Sequence, residues 1–108
     1  MTLRSSSRIP HQWLLIIDPN AQRPFDNLTF SEKRGNFRRL RELLIANDPY
    51  VLPFVEMLKG KRFDRTRKFR VGDYRVFFSV ETQEVIHQSH TYKGTLFLLD
   101  IQQRKDAY

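Results

Sequence analysis

Apolar and polar residues alternate in the C-terminal third of the chain, which predicts two β-strands within 65–80. The strands meet at Gly72-Asp73, a pair typical of a two-residue hairpin turn. One predicted face is apolar and the other mostly cationic or polar. The apolar face takes Phe69, Val71, Tyr74, Val76, Phe78 and Val80, and the opposite face takes Thr66, Lys68, Arg70, Arg75, Phe77 and Ser79.

A further strand is predicted near the C-terminus. Its apolar face is expected to hold Phe97, Leu99 and Ile101, with Asp100, Gln102 and Arg104 opposite. Segment 82–94 is polar and is interpreted as a long hairpin connection, with strand structure around Val85-Ile86. If the apolar faces share one core, Lys68, Arg70, Arg75 and Arg104 converge on the open face of the sheet. A slip of one residue in any strand would undo this convergence.

The N-terminal half shows helical patterns. The short apolar run Trp13–Ile17 predicts a first strand, whereas residues 18–29 contain two prolines and give no clear pattern. Ser31 is expected to cap a helix to about Asn47, and Pro53 to open a second short helix ending at Gly60. The first helix presents an apolar stripe of Phe37, Leu40 and Leu44. These elements predict an α+β fold, with a helical hairpin packed on a small, mostly C-terminal antiparallel sheet.

The chain has 108 residues, which suits one domain. Residues 1–10 are expected to form a flexible basic arm, and 11–108 the domain. The absence of cysteine excludes disulfides and thiolate chemistry. No apolar run approaches the length of a membrane span, so no membrane partner is expected and the cytoplasm is the predicted location.

The charge of the chain indicates what kind of partner it binds. The chain carries 19 Lys and Arg against 12 Asp and Glu, a formal net charge of +7. The cations cluster within 61–75, which favours a polyanionic partner such as RNA, DNA or an acidic protein. The run from Lys61 to Arg67 is most simply a solvated loop, which is compatible with a binding role. As a binding surface, the cluster would track a nucleic-acid backbone through Lys61, Arg62, Arg65, Arg67 and Arg70.

Cations converging on an open sheet face suit the cleavage of RNA without a metal or cofactor. The 2′-hydroxyl attacks the adjacent phosphorus, and the reaction needs cations for the phosphorane, a base and an acid. Guanidinium groups at Arg75 and Arg104 suit the phosphorane because they bind phosphate in a fork. Tyr108 follows Arg104 by four residues and is a candidate base or orienter of the 2′-hydroxyl, or a stacking ring. The alternative is a frayed terminal tyrosine.

His87 and His90 are the other candidates for chemistry. They lie three residues apart in a polar stretch, but a zinc site needs further ligands, and the chain contains no cysteine and no obvious third ligand. Surface histidines are the favoured interpretation, and no metal site is expected.

Three segments resemble the RelE/ParE superfamily of type II toxins. They are Leu58-Lys59-Gly60, the run from Arg67 to Phe78 that contains Arg70-Val71-Gly72-Asp73-Tyr74-Arg75, and the final Arg104-Lys105-Asp106-Ala107-Tyr108. The resemblance covers about half of the chain, residues 58–80 and 95–108. It departs from the family at Thr66, where some catalytic members have a second lysine.

The resemblance implies a messenger RNA interferase that cuts RNA in the ribosomal A site. It implies Lys68, Arg75, Arg104 and Tyr108 as the catalytic set, with no cofactor. It also implies a cognate acidic antitoxin, held in a complex that can be hetero-oligomeric, together with the ribosome and messenger RNA. Two alternatives stay open: a ParE-like inhibitor of DNA gyrase without nuclease activity, and an inactive relative that only binds antitoxin or RNA.

Overall fold

A computed structural model describes residues 10–58 and 65–103. The predicted arm therefore lies outside the described residues, except for Pro10. Two α-helices, a 3₁₀ turn and seven strands follow one another along the described chain. They are β1 (Trp13–Ile17), α1 (Pro19–Asp26), α2 (Phe30–Ile45), the 3₁₀ turn (Pro49–Val51), β2 (Glu56–Met57), β3 (Thr66–Val71), β4 (Tyr74–Glu81), β5 (Val85–His87), β6 (His90–Tyr92) and β7 (Gly94–Gln103).

Five of the strands form one sheet in the order β1-β7-β4-β3-β2. The three pairs from β2 to β7 are antiparallel, but β1 runs parallel to β7. The sheet is therefore mixed, and the prediction of an antiparallel sheet holds for its C-terminal strands only. A parallel neighbour requires a long crossover connection, and both helices lie within the chain that links β1 to the rest of the sheet.

Helix α2 begins two residues before it was expected. Thr29, not Ser31, is its N-cap, and Thr29 forms a reciprocal capping box with Glu32. The Thr29 hydroxyl accepts from the Glu32 amide at 3.2 Å, while the Glu32 carboxylate accepts from the Thr29 amide at 2.8 Å. The helix ends at Ile45, short of Asn47.

The expected apolar stripe of α2 is partly wrong. Leu40 and Leu44 are buried with Leu43, but Phe37 is 56% exposed. The Phe37 ring meets the ring of Phe25 edge to face, with centroids 5.2 Å apart. Phe37 therefore borders the contact between the two helices, outside the core.

A pair of helices is confirmed, but only α2 corresponds to a predicted helix, and its partner is α1. Helix α1 was not predicted because Pro24 lies inside it; Asp18 caps it and Pro19 occupies its first turn. No helix begins at Pro53. That region holds the 3₁₀ turn and strand β2, and Gly60 lies outside the described residues.

The core lies between the helices and one face of the sheet. The predicted hairpin at Gly72 is confirmed, with Val71 paired to Tyr74 and a φ of 58° at Gly72. A positive φ at the first central residue suits glycine. The buried side chains are Trp13, Ala21, Phe25, Leu28, Leu40, Leu43, Leu44, Phe69, Val76, Phe78, Val80, Leu96, Leu98 and Ile101.

A β-bulge in β7 corrects the predicted face of the last strand. Phe77 pairs with Asp100, whereas Phe78 pairs with Leu98, so Leu99 is the extra residue. The bulge shifts the alternation by one residue. Leu96 and Leu98 therefore enter the core in place of Phe97 and Leu99, and only Ile101 keeps its predicted place.

Segment 82–94 contains the strand predicted near Val85-Ile86. β5 pairs with β6 in a separate two-stranded hairpin, whose turn residues Gln88 and Ser89 have φ values of 49° and 64°. Within residues 10–58 and 65–103, no helix has the length and apolar character needed to cross a membrane.

Candidate functional site

Strand parity predicted several cations on one face of the sheet. Those that lie within the described residues are on the face opposite the core. Residues paired across neighbouring strands point to the same face. Lys68 pairs with Phe77, and Arg70 pairs with Arg75, while Phe69 and Val76 pair on the buried face. We call the surface that carries Lys68, Arg70 and Arg75 the basic face. The prediction that Lys68 and Arg75 share one face is confirmed.

Arg70 and Arg75 are the centre of the basic face. They lie directly opposite each other on β3 and β4, an arrangement in which like charges oppose folding. Neither forms a salt bridge with a carboxylate among the described residues. The Nε of Arg75 is buried and has no hydrogen-bond acceptor within the same part of the chain. A buried N–H without an acceptor typically costs about 1–3 kcal/mol. This pair therefore has unused capacity to bind an anion.

Lys68 lies next to Arg70 along the same face and has one acidic neighbour. Strand β2 pairs Glu56 with Lys68, and the Nζ of Lys68 lies 3.9 Å from Oε1 of Glu56. The two side chains are 26% and 53% exposed, so the pair contributes at most about 1 kcal/mol to folding. An incoming phosphate can therefore displace Glu56 from Lys68 at small cost. The sequence did not reveal this contact because β2 was not predicted.

Asp100 is the second carboxylate of this face, opposite Phe77. Its Oδ1 accepts from the Ile101 amide at 2.8 Å, and its Oδ2 accepts from Nε2 of Gln102 at 2.9 Å. Both oxygens therefore have partners within β7, which explains why Asp100 forms no ion pair with a cation of the basic face.

Arg65 and Arg67 occupy different environments from the basic face. Arg67 pairs with the core residue Phe78 and lies on the core side of β3, where its guanidinium sits 4.5 Å from the ring centroid of Tyr50. Arg65 is exposed just before β3, and its carbonyl accepts a hydrogen bond from the hydroxyl of Tyr50. The geometry therefore separates both arginines from Arg70, with which they were grouped as RNA-binding residues.

Four of the predicted site residues lie outside the described residues: Lys61, Arg62, Arg104 and Tyr108. Strand β7 is described as far as Gln103, which pairs with Tyr74 at the start of β4. The roles of Lys61, Arg62, Arg104 and Tyr108 remain predictions from sequence. Thr66, the departure from the family pattern, pairs with Ser79.

His87 and His90 lie on the β5–β6 hairpin, which forms a separate two-stranded sheet. His87 and His90 form the last cross-strand pair before the turn, and the His90 ring lies 4.5 Å from that of Tyr92. Across the described ranges, no group of three His, Cys, Asp or Glu side chains is placed to hold a metal ion.

Comparison with known proteins identifies a structure of similar fold. No protein-family model matches the chain, and no curated protein matches it. Among solved structures, the chain is similar to one in the crystal structure of the archaeal RelE–RelB complex from Pyrococcus horikoshii OT3. The TM-score is 0.57 with 21% identity, and the match covers 86% of this chain and 96% of that chain. The chain therefore has a RelE-like α+β fold.

Proposed function

We propose that this RelE-like chain is the toxin of a type II toxin–antitoxin pair and that it is an endoribonuclease cutting messenger RNA in the ribosomal A site. The observation that carries the proposal is the opposed pair Arg70 and Arg75, which has no carboxylate partner among the described residues. The phosphodiester backbone of RNA supplies the negative charge that this pair lacks.

The reaction begins when the 2′-oxygen of one nucleotide attacks the adjacent phosphorus. Arg75, together with Arg104, stabilises the additional charge of the phosphorane, and Lys68 clamps a non-bridging oxygen. The bond from phosphorus to the 5′-oxygen then breaks. The proton of the 2′-hydroxyl passes to Tyr108 or to water, and the leaving oxygen takes a proton from water, giving a 2′,3′-cyclic phosphate and a 5′-hydroxyl. Tyr108 is the base or the group that orients the 2′-hydroxyl. Removing one preorganised donor of this type typically lowers the rate by about 10²–10³-fold.

An acidic antitoxin is the proposed protein partner. The net charge of +7 favours a partner of opposite sign. The structural neighbour was itself solved as a complex of RelE with RelB. An acidic segment that covers Arg70 and Arg75 would compete with RNA for the same charges, which provides a physical route to neutralisation.

The experiment adds purified protein to a translating extract and maps the 5′ ends of ribosome-bound messenger. Cuts that disappear with Arg75→Ala are expected. The matched control is Arg41→Ala, which removes the same charge from an exposed position on α2, in the helical layer. Equal cutting by both variants would overturn the assignment of Arg75. Intact messenger with trapped gyrase–DNA cleavage complexes would instead identify a gyrase inhibitor, and absence of both activities with tight antitoxin binding would identify an inactive relative.

A further inference from the structure

Phe77 is an apolar ring in the middle of the basic face. It pairs with Lys68 on one side and with Asp100 on the other, and it lies two residues after Arg75 on β4. Its side chain points away from the core and is only partly buried, whereas its neighbours Val76 and Phe78 are fully buried. Burial in the core does not explain a phenylalanine at this position.

Among the described residues, the ring of Phe77 also has no aromatic partner. The rings of the core contact one another: Tyr50 meets Phe78, and Phe69 meets both Phe54 and Phe78. No such ring contact involves Phe77 in the described part of the chain, and no cation lies over its face there. The ring of Phe77 is therefore partly exposed on the basic face, and no described aromatic ring or cation is stacked on it.

The ring of Phe77 lies close to Arg75 along β4. Alternate residues of a strand lie about 6.6 Å apart, so the backbone positions of Arg75 and Phe77 are within the span of one nucleotide. A guanidinium beside a free ring fits phosphate and base together, because single-stranded RNA is bound by cations along its backbone and by rings that stack on its bases. Surrounding charge favours RNA over an uncharged peptide as the occupant, since Lys68, Arg70 and Arg75 are all on this face.

We infer that Phe77 is a base-stacking subsite: it holds the base of a single-stranded nucleotide whose phosphate contacts Arg70 and Arg75. The inference rests on the proposed function for its ligand class. It adds a residue that positions the substrate by its base, whereas the proposed reaction uses only phosphate and the 2′-hydroxyl. Stacking tolerates different bases, so Phe77 contributes affinity and register more than sequence preference.

The test measures binding, which separates it from cleavage. A labelled 2′-O-methyl RNA hexamer, which has no free 2′-hydroxyl to attack phosphorus, is titrated with wild type, Phe77→Leu and Phe77→Tyr at low salt. A hexamer of the same backbone without bases is titrated in parallel. Phe77→Leu is expected to weaken binding of the base-bearing RNA by about 5- to 150-fold and to leave the abasic backbone unchanged. Phe77→Tyr keeps the ring and is expected to bind nearly as wild type.

Phe37→Leu is the matched control, because Phe37 is an exposed phenylalanine in the helical layer. It is expected to leave both affinities unchanged, and denaturation curves establish that each variant is folded. Three results overturn the inference: equal binding of the base-bearing and abasic hexamers by wild type, equal affinity of Phe77→Leu and wild type, or no RNA binding at all. Loss of antitoxin binding with unchanged RNA binding in Phe77→Leu also overturns it and assigns the ring to a protein partner. If messenger is not cleaved while base-dependent binding is retained, the proposed function is wrong but the stacking subsite at Phe77 is not.

Discussion

The hydroxyl of Tyr50 connects the 3₁₀ turn to the two strands that carry the basic face, and Tyr50→Phe tests this connection. The hydroxyl accepts from the amide of Val80 at 2.8 Å and donates to the carbonyl of Arg65. Val80 lies beyond the end of β3, whose pairing with β4 reaches only Ser79. Tyr50 therefore supplies the hydrogen bond that β3 would have provided had the strand continued.

The expected cost follows from one amide left without an acceptor in a largely buried place. Val80 is 9% exposed, so water replaces the tyrosine poorly. We expect Tyr50→Phe to lower the free energy of unfolding by about 1–3 kcal/mol. The ring contacts with Phe78 and Arg67 do not need the hydroxyl and are retained. For a domain of this size the loss corresponds to a fall in Tm of about 4–12 °C.

Urea unfolding followed by fluorescence of the buried Trp13 measures this change, with an unchanged m-value. Tyr92→Phe is the matched control, because it removes the same atom from a tyrosine whose hydroxyl forms no hydrogen bond within the described residues. We expect the control to change stability by less than about 0.5 kcal/mol. Equal stabilities of the two variants would show that the hydroxyl of Tyr50 does not stabilise the fold and that water satisfies the amide of Val80.

Three further predictions concern the sheet, helix α2 and the basic face. Gly94→Ala places a Cβ against the backbone carbonyl of Glu81; we expect urea unfolding to show a loss of about 1–3 kcal/mol or more, and near-wild-type stability would contradict this contact. Thr29→Ala removes one half of the capping box and should cost about 1 kcal/mol by the same assay, whereas Thr29→Ser should cost much less. Glu56→Gln removes the carboxylate beside Lys68; we expect elution from heparin at higher salt with a stability change below about 1 kcal/mol, and unchanged elution would show that Glu56 does not offset the charge of the basic face.

The basic face was predictable because strand parity is a local property. Gly72 fixes the register of the β3–β4 hairpin, so alternation alone places Lys68, Arg70 and Arg75 on one face. The same rule fails across the bulge at Leu99, where one inserted residue moves Phe97 out of the core. A bulge leaves no clear mark in an apolar run, so only the paired strand reveals it.

The helical layer was less predictable because its signals compete. Pro24 lies inside α1, although proline disfavours helix interiors. The helix buries Ala21 and Phe25, which are four residues apart on one face. Asp18 followed by Pro19 was the available signal for its start. Strand β2 is two residues long and depends on pairing with β3, so no local pattern indicates it.

The proposed cleavage of RNA by attack of the 2′-hydroxyl beside the basic face can be tested with one substituted messenger. After the cleavage position is mapped on the ribosome, the nucleotide on its 5′ side is replaced by its 2′-deoxy form. We expect cleavage at that position to stop, while the unsubstituted messenger yields a 2′,3′-cyclic phosphate and a 5′-hydroxyl. Continued cleavage at the deoxy position, or a 5′-phosphate on the product, would show that the 2′-hydroxyl is not the nucleophile.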